Sequence, residues 1–153
     1  FVFIQAGAGW AAVARGAEPL GGPQAARQVV RGAFLCSPMA AALHTVVLLG
    51  AGRVAQHLGP ALAAAGYSVR HIWSRTAASA AALAGRLPGA TSGTSLISLP
   101  AADLYLLVLP DAAVADVAGR ARFAAEAVVA HTAGALPLAV LSGLPQVQAG
   151  VFY

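Results

Sequence analysis

The run His44-Thr-Val-Val-Leu-Leu-Gly50-Ala-Gly52-Arg-Val-Ala55 limits the fold more than any other part of the chain. A short apolar strand leads directly into Gly-x-Gly-x-x-Ala and then into a helical pattern. This is the signature of a phosphate-binding turn in a βαβ unit. Gly50 permits a tight turn out of the strand. Gly52 has no side chain, so the backbone can approach a pyrophosphate. Ala55 is small enough for the new helix to pack on the strand. Ala51, Arg53 and Val54 complete a turn whose helix N-terminus offers free N–H groups and a partial positive charge.

Such a match is weak by itself in a chain rich in Ala and Gly. Gly7-Ala-Gly9-Trp-Ala-Ala12 fits the same pattern after Phe1-Val-Phe-Ile. Context separates the two. Pro19, Gly21, Gly22 and Pro23 follow the first match and leave little room for a helix. The second match continues as a βαβ unit should, so the first reads as coincidence.

From residue 44 onward the pattern alternates. Strands are expected at Thr45–Leu49, Ser68–Trp73, Ala90-Thr91, Leu104–Leu109, Ala127–His131 and Val147–Tyr153. Helices are expected at Arg53–Ala65, Ala77–Leu87, Ala112–Phe123 and Leu136–Leu141. Residues 92–102 read as mostly loop. The first helix should bury Val54, Leu58, Leu62 and Ala65, and stop at Gly66. Pro60 inside it should kink it, at a cost of about 3 kcal/mol. The Leu104–Leu109 run is apolar throughout, as suits a strand buried on both faces. Strands alternating with helices predict an α/β, doubly wound parallel sheet of the Rossmann type.

Residues 1–38 carry scattered Gly and Pro without sustained periodicity. They read as a disordered or upstream extension; a short helix at 24–34 is the alternative. Met39 stands where a natural start would fall, and residues 39–153 read as the dinucleotide-binding domain.

In this fold ligands lie beyond the carboxyl ends of the strands, so the loops there are the ones to read. Ser74-Arg75-Thr76 follows the second strand, where an NAD-binding domain usually places an acid on the ribose. No acid lies between Gly66 and Leu87. Ser74 and Thr76 suit a phosphate, and Arg75 can pair with one bidentately, so the loop points to NADP(H). A solvated surface Arg is the plain alternative. Leu109-Pro110-Asp111 follows the fourth strand. Its backbone should flank the cofactor, and Asp111 either caps the next helix or takes part in the cofactor site. His131-Thr132 follows the fifth strand. His131 is the one His at this edge, a candidate for proton transfer or substrate orientation, or a structural strand-end His. His44, His57 and His71 read as structural or exposed. No His/Cys/Asp/Glu spacing suggests a metal.

Composition narrows the alternatives. The chain has 153 residues, a net charge of +4 and mean hydropathy of +0.75. Its cations are nine scattered Arg with no Lys, which looks like a GC-rich codon bias and argues against nucleic acid. Arg, His, Gly or Pro interrupts every long apolar run, so no membrane span of ~18 residues is expected. No secretory signal is visible, and one Cys, Cys36, fits a reducing cytoplasm.

Five segments together resemble the Rossmann-like domain of DUF2520 proteins. They are Val46–Ala55, Trp73–Thr76, Val108–Asp111, Val129–Gly134 and Gly150–Tyr153. That group is related to pyrroline-5-carboxylate reductase and the F420-dependent NADP oxidoreductases. The resemblance implies an NADP-type cofactor at Gly50–Ala55 and Ser74–Thr76, with Leu109–Asp111 and His131–Gly134 near the nicotinamide. Ala133 departs from the family's usual Ser. The family also continues past this point into a helical domain that shapes the substrate pocket and often the homodimer. The chain therefore reads as an N-terminal fragment of an oxidoreductase acting on an unknown small molecule. Rival readings are a non-catalytic dinucleotide-binding or scaffold protein, a methyltransferase, and a degenerate fragment that binds nothing.

Overall fold

The computed structural model describes residues 2–6, 9–13, 43–145 and 147–151. Six strands form one sheet: β3 (Thr45–Leu49), β4 (Ser68–Trp73), β5 (Thr91–Gly93), β6 (Leu104–Leu107), β7 (Val128–His131) and β8 (Gln148–Val151). Their order is β5-β4-β3-β6-β7-β8, and every pairing is parallel. Counted from β3, this is the 3-2-1-4-5-6 order of a doubly wound sheet. Ahead of it, β1 (Val2–Ala6) and β2 (Gly9–Val13) pair antiparallel as a separate two-stranded sheet. Gly9–Ala12 thus lies on a strand and opens no helix. The short helix weighed at 24–34, Cys36 and Met39 lie outside the described residues.

Alternation along the strands builds two cores. Val46 and Leu48 of β3 join Leu104 and Leu106 of β6 on one face, beneath α1 (Arg53–Ala64) and α2 (Ala77–Ala84). Val47 and Leu49 join Tyr105 and Leu107 on the other, beneath α3 (Asp111–Arg120) and a 3-10 turn at Leu138–Leu141. Each residue of β6 is buried, as a strand covered on both sides requires. The Tyr105 hydroxyl would be costly to bury alone. It donates to the Pro100 carbonyl at 2.9 Å and accepts from the Ala124 N–H at 3.2 Å, which pins the chain before β6 to the chain after α3.

Several expectations shift. Helix α1 buries Ala55, Gly59 and Leu62, whereas Val54 is 58% exposed and Ala65 is its exposed C-cap. The first two turns of the helix lie so close to the sheet that the small residues Ala55 and Gly59 stand in its inner stripe beside Leu62. A Cβ at Gly59 would come within 3.2 Å of Leu87 Cδ1 and 3.3 Å of Leu48 Cδ1. The helix is continuous through Pro60 and stops at Gly66, whose φ is +88°. Helix α2 ends at Ala84, and the chain tightens into turns before Leu87. Strand β5 is Thr91–Gly93, further along than expected. Only the first four residues of the Leu104–Leu109 run are strand, because Pro110 already forces the exit. Pro110, rather than Asp111, is the N-cap of α3. Pro137 and Gly143 confine the expected helix at Leu136–Leu141 to a single 3-10 turn.

Candidate functional site

The order of the sheet reverses between β3 and β6. The chain leaving β3 winds towards β4, and the chain leaving β6 winds towards β7. Their exit loops therefore diverge and leave a crevice, the usual ligand position in such sheets. Backbone hydrogen bonds join the loops. The Gly50 N–H donates to the Trp73 carbonyl at 2.8 Å, and the Val108 N–H to Leu49 at 2.8 Å. The Ser74 N–H donates to Gly93 at 3.2 Å, and the Thr132 N–H to Leu107 at 3.1 Å. The glycine turn, Ser74–Thr76, Leu109–Asp111 and Thr132 thus share one edge of the sheet.

Gly50 has φ +128°, in the left-handed region, and a Cβ there would stand 2.1 Å from the Val108 carbonyl oxygen. Only glycine fits. Gly52 differs: its φ of −75° suits any residue, and a Cβ would meet nothing within 4 Å. Nothing in the fold asks for glycine at 52, but a group lying against the turn would. Gly52 caps α1 without a side-chain bond, and the first turn holds Arg53 and no acid. Its orphan N–H groups and the helix dipole suit an anion. Ala51 is half-buried, and Ala55 is fully buried against the sheet.

Ser74 is half-buried; Arg75 and Thr76 are exposed. Thr76 is the N-cap of α2, but its hydroxyl donates to Ser79 Oγ at 2.8 Å rather than to the helix. Leu109 is half-buried beside Gly50, its Cδ2 3.3 Å from the position of a Gly50 Cβ. Asp111 is exposed in the first turn of α3, where it complements the dipole.

His131 is fully buried, and neither ring nitrogen meets a hydrogen-bond partner among the described residues. Burial pushes its pKa down. Backbone groups of Pro137 and Ala133 and the charge of Asp111 pull it partly back. With none of its surface exposed, the side chain does not open onto the crevice. His71 is also buried and lowered by burial; its Nδ1 lies 2.7 Å from Thr91 Oγ1. Thr91 donates to the Arg70 carbonyl, so His71 Nδ1 carries the proton. Among the described residues no group of three or more His, Cys, Asp and Glu could hold a metal, and no helix is long and apolar enough to cross a membrane.

Residue reading missed Gly59, whose signal was its spacing of four from Ala55 and three from Leu62. It also missed the surroundings of Arg75, a cleft of about 450 Å³ shared with Trp73, Leu96, Ile97, Asp116 and Arg120.

The family model for the Rossmann-like domain matches residues 33–151. The chain belongs to the Rossmann-like domain family. Solved structures that resemble it include two at comparable coverage. A protein of Bacteroides fragilis, provisionally named an NADP oxidoreductase, is 37% identical with a TM-score of 0.61, over 71% of this chain and 43% of its own. A conserved hypothetical protein of Sinorhizobium meliloti 1021 is 21% identical with a TM-score of 0.53, over 71% of this chain and 40% of its own. The second likeness is one of fold alone. This Rossmann-like domain spans under half the length of either. No curated protein matches it.

Proposed function

We propose that this domain binds NADP(H) and forms the cofactor half of an oxidoreductase of the DUF2520 type. The observation that carries the reading is Gly52. It is a glycine without internal need of glycine, at the open N-terminus of α1, beside the point where the sheet order reverses. A pyrophosphate lying against the turn would fill the space a Cβ would take. The Gly50–Ala55 backbone would hold it. Ser74, Arg75 and Thr76 would hold the 2′-phosphate, and the absence of an acid there favours NADP(H) over NAD(H). Leu109, Pro110, Asp111 and Thr132 would flank the nicotinamide. Bound there, the cofactor supplies hydride transfer to or from a carbon attached to nitrogen or oxygen. The likeness to the Bacteroides fragilis protein supports the same class. The substrate is a small molecule; a homodimer is proposed on the family resemblance, and a cytoplasmic location on the single Cys36.

One observation favours a second reading, a non-catalytic dinucleotide-binding protein: His131, the His at the crevice edge, is fully buried. The test is calorimetric titration with NADPH and NADH of the chain and of Arg75→Ala. Hydrogen bonds to charged groups are worth about 1.5–3 kcal/mol, so the variant should lose roughly tenfold or more in NADPH affinity and little for NADH. Equal losses for both nucleotides would remove Arg75 from the 2′-phosphate.

A further inference from the structure

Helix α1 lies tight against the chain that follows α2, where a Cβ at Gly59 would come within 3.2 Å of Leu87 Cδ1. The same close approach brings Arg86 to Gln56, three residues before Gly59 on α1. Arg86 Nη1 donates to Gln56 Oε1 at 2.6 Å. Gln56 Nε2 in turn donates to the Ala51 carbonyl of the glycine turn, in a long bond of 3.5 Å. Arginine carries donors only, so the atom it meets is the amide oxygen, and the amide nitrogen is left to face Ala51. The one ion pair among the described residues joins Arg120 to Asp116, so no carboxylate competes with Gln56 for Arg86.

The Ala51 carbonyl and the Gly52 N–H belong to one planar trans peptide and point in opposite directions. A donor that holds the carbonyl on the Gln56 side therefore turns the Gly52 N–H the other way. That N–H has no partner among the described residues. An anion drawn to it would repel the carbonyl, push it towards Gln56 and shorten the 3.5 Å bond. Resting on the nucleotide reading given above, we infer that Gln56 is a positioning residue for the phosphate turn, and that Arg86 sets the orientation of its amide. Gln56 acts through the Ala51–Gly52 peptide, and Arg86 acts through Gln56. The pyrophosphate is common to NADPH and NADH, so a change at Gln56 touches both nucleotides alike, unlike a change at Arg75.

The test is calorimetric titration of NADPH and NADH into the chain, Gln56→Met, Arg86→Met, Arg86→Lys and the double variant Gln56→Met/Arg86→Met, with the melting temperature of each. Gln56→Met keeps the length of the side chain and loses the donor. It should weaken both nucleotides by about three- to tenfold, the worth of one hydrogen bond, without lowering the melting temperature. Arg86→Met, an exposed change, should weaken both by a smaller factor, and Arg86→Lys, which still offers a donor, should restore most of the affinity. The double variant should bind no more weakly than Gln56→Met. Native affinity in folded Gln56→Met and Arg86→Met would overturn the inference while the nucleotide reading stands. So would a loss that appears only with a lower melting temperature, which would make Gln56 purely structural. A double variant clearly weaker than Gln56→Met would also overturn it, because Arg86 would then attract the phosphates directly. A folded native chain that binds neither nucleotide would overturn both the inference and the reading.

Discussion

The α-carbon of Gly50 is pressed so closely against the Val108 carbonyl that a single added carbon would stand 2.1 Å from its oxygen. The first crossover leaves β3 through this gap, between its own turn and the exit of β6. Gly50→Ala meets that backbone and carries a left-handed φ, so it should destabilise the fold by about 3 kcal/mol or more. Gly52→Ala meets nothing and should change stability by under about 1 kcal/mol, the cost of a poorer N-cap. Thermal unfolding of the pair checks this. Equal losses would mean that the turn is not shaped as described.

Gly59 presses α1 onto β3 and α2. Its neighbours within 3.3 Å are flexible leucine ends. In Gly59→Ala, the gain in helix propensity of about 1 kcal/mol offsets the crowding, leaving stability near its starting value. Gly59→Leu overpacks the interface and should cost about 1–3 kcal/mol or more in denaturant unfolding.

Asp103 closes the lower end of the sheet. Its carboxylate accepts from the His44 N–H at 3.0 Å, the Thr45 N–H at 2.8 Å and the Thr45 hydroxyl at 2.7 Å. Partial burial raises its pKa, but these bonds together outweigh burial and hold it below the usual 3.8. The charged form is therefore favoured by folding. Its contribution is present above about pH 3.8 and is lost as pH falls through the lower folded value. Asp103→Ala should cost about 1 kcal/mol near neutral pH and less in acid, where the native residue has also lost its charge. A deficit that is constant with pH would contradict this.

His131 titrates in the other familiar window. Burial lowers its folded pKa below 6.5, so the unfolded chain binds the proton first. Stability then falls as pH drops below about 6.5, until the lower folded value is reached. His131→Leu, similar in volume and unable to take a proton, should lose less melting temperature between about pH 7.5 and pH 5.5 than the native chain. His71, lowered by burial in the same sense, contributes a slope of the same sign in both chains.

The residues that could be read from sequence are those whose type the backbone dictates. Gly50 is demanded by its φ and by Val108. Gly66 is demanded by the end of α1. The apolar run at Leu104 is demanded by burial on both faces. Of the buried stripe of α1, Ala55 and Leu62 could be read from the glycine turn and the helical period, while Gly59 escaped because a glycine selected by close packing carries no hydrophobic signal. The short reach of β6 and the capping of α3 both follow from Pro110, whose effect on the residue after it is weaker than its effect on the strand before. The cleft was the least legible feature. Trp73, Ile97 and Arg120 come from three separate segments, and only the sheet order brings them together.

Titration of NADPH into the native chain and into Gly52→Ala, side by side, tests the central claim most directly. The account predicts binding by the native chain and a loss of at least about tenfold in a variant that remains folded, because the new methyl occupies space the fold leaves to the pyrophosphate. Unchanged NADPH affinity in folded Gly52→Ala, or no binding by the folded native chain, would contradict it.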